Sequence, residues 1–249
     1  MNRRANQQRH YLLGLFCGLL LLPLTTAFAA LQLEPFEARF QVTRNGFTLG
    51  TMDIRLTLDD KGEYAYSSHT KPGELLGLFI SDEVHEASEG SYRNGHVKPD
   101  RYHYLQDNGK RKKQTDLDFD WPDGQVWTES EGKRWAQNLL DNTHDKYSQQ
   151  LALRLDLAKG EQQISYPVAD GGKIKTYHYQ VVGEDMVELP YGRLKCLQVR
   201  RNKEDHPPDY VIWVAPELNY LPVKIERERS SGTYAIELMQ FEQRQPAKP

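Results

Sequence analysis

A strict alternation of polar and apolar side chains runs through residues 51–58, TMDIRLTL, and decides the fold class. Because successive side chains of a β-strand point to opposite faces, the pattern predicts a strand with one apolar and one solvated face. The same alternation returns at residues 116–121, DLDFDW. Between such segments lie turn dipeptides that favour positive φ and therefore hairpins: Asn45-Gly46, Lys61-Gly62, Asn94-Gly95, Asn108-Gly109, Asp123-Gly124, Gly171-Gly172 and Ser231-Gly232.

The repeated pattern predicts an all-β protein. We expect about eleven to thirteen strands, which is more than one open twisted sheet accommodates without curling. The strands are therefore expected to form a single-domain antiparallel barrel or half-barrel, or to fold over as a sandwich.

One segment has helical rather than strand periodicity. Residues Thr143–Lys159 end at Gly160, a natural C-cap, and their apolar side chains recur at near-helical spacing: Tyr147, Leu151, Leu155 and Ala158. We expect an amphipathic helix that covers a sheet face or plugs a barrel mouth.

The N-terminus has the three parts of a secretory signal peptide. Three arginines precede an apolar run, Tyr11–Leu24, and Ala27 and Ala29 then fit the A-x-A cleavage rule. Residues 1–29 are therefore predicted to be a signal peptide, with cleavage after Ala29 or Ala30, and residues 30–249 an all-β domain located in the periplasm. An uncleaved anchor is the alternative, but the run is shorter than the ~20 residues that cross a bilayer. No membrane span is expected after cleavage.

Composition excludes some classes of protein. Aromatic residues make up 10% of the chain, so it can bury a core, unlike a disordered chain. Acidic side chains number 35 against 32 basic ones, and the leader would remove three arginines and no acid, leaving a formal charge of −6. Such a chain is not expected to bind nucleic acid. Only Cys196 remains after cleavage, because Cys17 lies in the leader, so an intrachain disulfide is excluded.

Two C-terminal segments resemble a known family. Residues 188–197, ELPYGRLKCL, and residues 210–225, YVIWVAPELNYLPVKI, resemble the DUF3108 family of uncharacterised, mainly bacterial envelope proteins, whose pattern has a similar LPxG turn before W-x-AP-x-L-x-YLPV. The N-terminal half looks similar at Gly46–Gly50, at Gly77–Phe79 and at Gly95–Pro99. The resemblance implies an envelope protein and offers no catalytic residues to carry over. A second likeness, around Trp213, is to the lipoprotein-carrier (LolA-like) half-barrels and concerns the fold alone.

No catalytic or metal-binding pattern stands out. The run Asp116, Asp118, Asp120 superficially suggests a calcium loop, but Trp121 and Trp127 occupy the positions that require Gly and Glu. There is no G-x-S-x-G elbow and no glycine-rich phosphate loop before a helix. No two of the mature chain's seven histidines are four apart as in a helical zinc pair: His69, His85, His96, His103, His144, His178 and His206. We therefore predict no catalytic residues, no cofactor and no metal.

The leading hypothesis is a protein that binds rather than catalyses, holding an apolar or amphipathic envelope ligand, such as a lipid, on the concave side of the sheet. The expected lining residues are Tyr102, Tyr104, Trp213 and Tyr220. Two alternatives stay open: an interaction protein with a filled interior that binds an envelope partner, and an enzyme acting on wall or lipid material.

A single concentrated basic patch follows the Asn108-Gly109 turn. It consists of Lys110, Arg111, Lys112 and Lys113. One interpretation is a charged hairpin edge that discourages strand-to-strand aggregation. The other is contact with anionic lipid head groups or a polyanionic wall polymer.

Overall fold

The structure, a computed structural model, describes residues 31–73, 83–203 and 210–245. The predicted signal peptide, residues 1–29, lies outside these ranges, as do Gly77–Phe79 of the family resemblance and His206. Within the described ranges, no helix has the length and apolar character needed to span a membrane.

The described chain forms fourteen strands and one α-helix, which confirms the all-β prediction. A short 3-10 turn, Pro216–Leu218, precedes the thirteenth strand. The elements are β1 (Phe36–Arg44), β2 (Phe47–Leu58), β3 (Glu63–Pro72), β4 (Glu83–Arg93), β5 (His96–Asp107), β6 (Lys112–Asp120), β7 (Gln125–Ser130), β8 (Lys133–Asn138), α1 (Ser148–Ala158), β9 (Gln163–Asp170), β10 (Lys173–Leu189), β11 (Gly192–Lys203), β12 (Tyr210–Ala215), β13 (Leu221–Arg229) and β14 (Gly232–Gln243).

All fourteen strands belong to one antiparallel sheet that curls without closing. Strands β1 to β8 pair in chain order, β9 to β14 do the same, and β14 pairs with β1, so β8 and β9 are the two edges. The edges nevertheless approach each other. The indole N–H of Trp135 in β8 donates a hydrogen bond to the carbonyl of Gly172, 3.3 Å away in the β9–β10 turn. This arrangement is the half-barrel among the expected architectures.

The strand number exceeds the expected eleven to thirteen because one hairpin has an unusual turn. Glu131 and Gly132 join β7 to β8 with φ of 49° and 73°. A two-residue hairpin turn with both φ positive is ordinarily made by Asn-Gly or Asp-Gly, and glutamate is not a signal for it. The six-residue strands β7 and β8 are therefore hard to separate from the sequence.

The helix begins at Ser148, five residues later than predicted from the apolar spacing, and ends as predicted before Gly160, whose φ is +88°. The late start follows from a contact with β9 and a side-chain cap. His144 pairs its backbone with β9, donating to the Pro167 carbonyl and accepting from the Ala169 N–H. Asp145 then turns the chain, because its carboxylate accepts hydrogen bonds from the backbone N–H groups of Tyr147 and Ser148 at 2.6 and 2.8 Å.

The helix lies within the concave side of the sheet rather than over it. Leu151 and Leu155 belong to the larger core cluster, which has buried side chains from β1 to β7 and from β9 to β14, while Leu153 and Leu157 belong to a second cluster with β9 to β12. Because these side chains point in different directions around the axis, α1 is buried over most of its circumference, more than an amphipathic stripe requires. The carboxylate of Asp145 anchors it further, since Oδ2 accepts a hydrogen bond from Ser88 of β4 at 2.7 Å.

The first prediction concerns this anchor. Asp145→Ala should lower the free energy of unfolding by about 2–4 kcal/mol, because it removes a helix cap and leaves buried N–H and hydroxyl donors unpaired. Urea unfolding followed by circular dichroism measures the loss. Asp141→Ala, an exposed residue of the preceding turn, is the matched control and should leave the midpoint near that of the wild type. Equal midpoints for the two variants would contradict the assignment.

The second prediction concerns pH. Burial lowers the pKa of His144 from 6.5 to about 4. The unfolded chain therefore takes up a proton at this residue before the folded chain does, so the folded state should lose about 3 kcal/mol as the pH falls from about 6.5 to about 4.

The His144→Phe variant keeps an aromatic ring against Tyr166 and should lack this part of the acid destabilisation. Its free energy of unfolding, measured across the same pH range, is compared with that of the wild type. His96→Phe, at an exposed position, serves as the control and should keep the wild-type pH dependence. An unchanged slope in His144→Phe would show that His144 is not the titrating group.

Candidate functional site

A cavity of about 360 Å³ lies between the first half of α1 and the inner face of the sheet. Side chains from β1 to β4 form one wall and side chains from β10 to β14 the other. Its lining includes ten hydrocarbon side chains: Phe40, Met52, Ile54, Val84, Leu153, Ile212, Leu221, Pro222, Ile225 and Ile236. The remainder are polar or tyrosine side chains: Tyr66, Thr70, Glu86, Lys146, Tyr147, Gln149, Gln150, Tyr179, Arg201 and Tyr210.

The apolar wall follows from strand register. Ile212 pairs with Ile225, and Ile225 with Ile236, so one row of isoleucines crosses β12, β13 and β14. On the opposite wall, Met52 and Ile54 occupy alternate positions of β2, the strand whose pattern predicted an apolar face. Branched side chains in register across neighbouring strands give a continuous hydrocarbon surface.

One end of the cavity carries an ion pair. The ammonium of Lys146 lies 3.1 Å from the carboxylate of Glu86, which also accepts a hydrogen bond from the Tyr102 hydroxyl. The same ammonium lies 5.4 Å from the ring centre of Tyr102 and 4.9 Å from that of Tyr104. Burial raises the pKa of Tyr102 and the charge of Glu86 raises it further, so this tyrosine stays a hydrogen-bond donor at neutral pH.

A second cation, Arg201 of β11, lines the cavity from the other wall. Its guanidinium stacks 4.0 Å from the ring centre of Tyr210 and 4.5 Å from that of Tyr177, which holds it in place. Nearby, the Tyr179 hydroxyl donates to the Gln149 side chain at 2.6 Å, and burial raises the pKa of Tyr179. Among the described residues that line the cavity, Lys146 and Arg201 are the cations and Glu86 is the carboxylate, so these three charges sum to a net positive charge.

The structure separates the four aromatic residues expected to line a ligand site. Tyr102 and Tyr104 lie behind the Lys146–Glu86 pair, one layer away from the cavity. Trp213 is on the opposite face of β12 from Ile212, under the ammonium of Lys224 at 5.1 Å, and Tyr220 lies in the β12–β13 turn with φ of +57°. None of the four is among the side chains that line the cavity. Their contact with a ligand stays a prediction.

The basic patch is partly neutralised by its neighbours. The Lys112 ammonium lies 3.2 Å from the Asp107 carboxylate across the β5–β6 hairpin, and Arg111 lies 3.4 Å from Glu131. Lys110 stands in the turn itself, and Lys113 follows Lys112 in β6. The contact of this patch with anionic surfaces stays a prediction.

The sequence contains one signal for the cavity's polar residues. In β11, the alternation that buries Val199 also points Arg201 inward, so a cation occupies a position where an apolar side chain is expected. Glu86, two residues before the buried Ser88, breaks the pattern in the same way. A charge on the face that alternation assigns to the core is rare unless it is paired, and so it points to a site.

Comparison with known proteins agrees with this architecture. A crystal structure of a beta-barrel-like protein of the domain of unknown function DUF1849, from Brucella abortus, has a TM-score of 0.56 and 11% sequence identity to this chain. The match covers 86% of this chain and 100% of that one and concerns the fold. Among curated proteins, none matches this sequence. The model of the family "Protein of unknown function (DUF3108)" matches residues 39–239, and the chain therefore belongs to the DUF3108 family.

Proposed function

We propose that the protein binds an amphipathic ligand, an apolar chain with an anionic head group, in the cavity beside α1. The observation that carries the proposal is the lining itself: half of its described residues are apolar, and its charged residues, Lys146, Arg201 and Glu86, sum to a net positive charge. A volume of about 360 Å³ falls within the range of small-molecule sites, ~300–1,000 Å³.

The apolar chain would lie against the isoleucine row. Ile212, Ile225 and Ile236 offer hydrocarbon surface without a hydrogen-bonding group. Each methylene group of a ligand that leaves water for this surface contributes about 0.8 kcal/mol to binding. A polar ligand would gain nothing there, which favours a lipid-like chain over a sugar or a peptide.

The head group would lie between the two walls that carry charge. Arg201 presents a guanidinium already positioned by two tyrosine rings, and planar guanidinium groups bind carboxylates and phosphates through paired hydrogen bonds. Gln149 and Gln150, in the first turn of α1, also line the cavity and add amide hydrogen-bonding groups. The net positive charge selects an anion over a cation of the same size.

The cavity also favours binding over the alternative of a protein with a completely filled interior. Leu151 and Leu157 of α1 pack against the sheet and fill the interior around them. The space beside Lys146 and Gln150 is left open. Protein interiors are otherwise packed to the density of organic crystals, so an opening of this size in a core is a feature that needs an occupant or water.

We further propose that the protein acts in the periplasm, where amphipathic envelope components are found. This rests on the leader pattern: arginines, an apolar run and the A-x-A site at Ala27 and Ala29. The lone mature cysteine is compatible with it, because Cys196 is buried and burial raises its pKa to about 11, so the thiol would resist oxidation there.

Ligand binding is tested with an environment-sensitive fluorescent fatty acid and delipidated protein. The probe should be taken up at micromolar concentration and displaced by dodecanoate. In Arg201→Gln, the concentration of dodecanoate needed to displace the probe should rise about 10- to 100-fold, because the variant lacks a charge-assisted hydrogen bond to the head group. The concentration of dodecanol needed should not change, because the alcohol carries no charge.

The control is Arg200→Gln, the adjacent exposed arginine, which should bind both competitors as the wild type does. Thermal melts establish that both variants are folded. No uptake of the probe, or an equal loss for the acid and the alcohol in Arg201→Gln, would contradict the proposed binding mode.

Export is tested separately. Expression of the whole chain in a bacterium with a periplasm should give a protein whose N-terminus, determined by mass spectrometry of the periplasmic fraction, is Ala30 or Leu31. The double variant Ala27→Asp and Ala29→Asp should accumulate unprocessed, whereas Gln32→Asp, beyond the cleavage site, should be processed normally. An intact N-terminus in the wild-type protein would refute the proposal of export.

A further inference from the structure

The outer face of the sheet holds a pair of histidines that the sequence does not connect. His69 of β3 and His85 of β4 are sixteen residues apart, and strand register makes them direct partners. Their imidazole rings stack with centroids 3.9 Å apart and planes inclined by 21°. Two histidines on neighbouring strands do not have the four-residue spacing that indicates a zinc pair on a helix, so their spacing in the sequence does not indicate this pair.

A carboxylate completes the group. Glu83 precedes His85 by two residues in the same strand and therefore lies on the same face. One oxygen of its carboxylate is 3.8 Å from Nε2 of His69 and 4.0 Å from Nε2 of His85. The nitrogen and oxygen atoms that the three residues offer all lie within 4.8 Å of one another.

We propose that His69, Glu83 and His85 bind a divalent transition-metal ion of the zinc class on the outer face of the sheet. Two imidazole nitrogens and one carboxylate oxygen form a ligand set that such ions use in proteins. With metal-to-ligand distances of about 2.0–2.2 Å, neighbouring ligands of a tetrahedral ion lie about 3.3 Å apart. The Glu83 oxygen, at 3.8 and 4.0 Å from the two imidazole nitrogens, is within about 1 Å of this separation. To share an ion, the two stacked rings must also turn their nitrogens towards each other's side of the site.

An unpaired nitrogen is the second observation in favour of a metal. Nε2 of His69 is shielded from solvent and has no hydrogen-bond partner among the described residues. A buried polar atom without a partner is rare in proteins and indicates a missing water or ion. Because the atom is directed towards Glu83 at 3.8 Å, an ion between them would satisfy it.

Two other charged groups that line the groove are already paired: Asp53 of β2 with Arg39 at 2.6 Å, and His103 of β5 with Asp116 at 2.5 Å. The histidine pair is thus left available to an ion.

The site opens on a groove, which leaves coordination positions for water or a ligand. A depression of about 720 Å³ runs over the outer face of β1 to β5 and β14, with His69 and His85 in its lining. Three protein ligands and an open fourth position distinguish exchangeable and catalytic metal sites from closed structural ones. This site is separate from the interior cavity, so it does not depend on the proposed ligand binding.

Zinc titration of the purified chain, prepared without an affinity tag, tests the site by calorimetry. We expect one ion per chain. His69→Gln and His85→Gln should each weaken the affinity by at least about tenfold, because each removes one of three ligands. Binding of Co²⁺, followed by its visible absorption, should give the same ranking and reports the coordination geometry directly.

The matched control is His103→Gln, a histidine of the same groove that is engaged by Asp116 and should leave zinc affinity unchanged. All three positions are on the outer face, and circular dichroism establishes that the variants keep the wild-type fold. Failure to bind zinc stoichiometrically, or affinities in both histidine variants equal to that of the wild type, would overturn the proposal. So would an equal loss in His103→Gln, because binding would then be distributed over the groove.

Discussion

The buried carboxyl group of Asp145 is the constraint on which the interior of this molecule depends. The N-terminus of a helix presents backbone N–H groups that need acceptors, and inside a sheet there is no water to supply them. Asp145 supplies two of these acceptor contacts, to Tyr147 and Ser148, and its second oxygen is held by Ser88. Burial raises the pKa of this carboxyl group, while those hydrogen bonds act against the rise. The sheet thereby contributes a hydroxyl group, that of Ser88, which helps to hold the start of the helix in the interior.

The inserted helix determines where the sheet is full and where it is empty. An eleven-residue helix cannot fill the space enclosed by fourteen curled strands, so packing on one side leaves a gap on another. Leucines at 151, 153, 155 and 157 fill the space along the body of α1. Lys146, which precedes the helix, and Gln149 and Gln150 in its first turn lie on the side facing the gap, and polar side chains do not collapse into an apolar space. The cavity is therefore a consequence of how the helix is anchored and of which residues stand at its start.

Much of the fold could be predicted from the sequence because its cause is local. Alternation in β2 and β6, and turn dipeptides such as Asn45-Gly46, indicate strands and hairpins without reference to the rest of the chain. The start of α1 could not be predicted from apolar spacing, because it depends on His144 pairing with a strand twenty-four residues further along. The residues that line the cavity were harder to predict than the fold. Tyr102 and Tyr104, expected to line a ligand site, lie near the cavity but are not among its lining residues, since aromatic content indicates a core and does not say which face of it is open.

Strand register links the inner and outer faces of the sheet. His85 and Glu86 are adjacent in β4, yet one lies in the outer groove and the other reaches Lys146 inside. A slip of one residue would exchange them, which would bury the imidazole and move the carboxylate outside. The β-bulge that leaves Asp100 of β5 unpaired opposite Glu89 and Gly90 disfavours this slip, because a Cβ on Gly90 would lie 2.2 Å from the Lys98 carbonyl oxygen and only glycine allows so close an approach of β5. One glycine thus helps to hold two chemically unrelated surfaces in register.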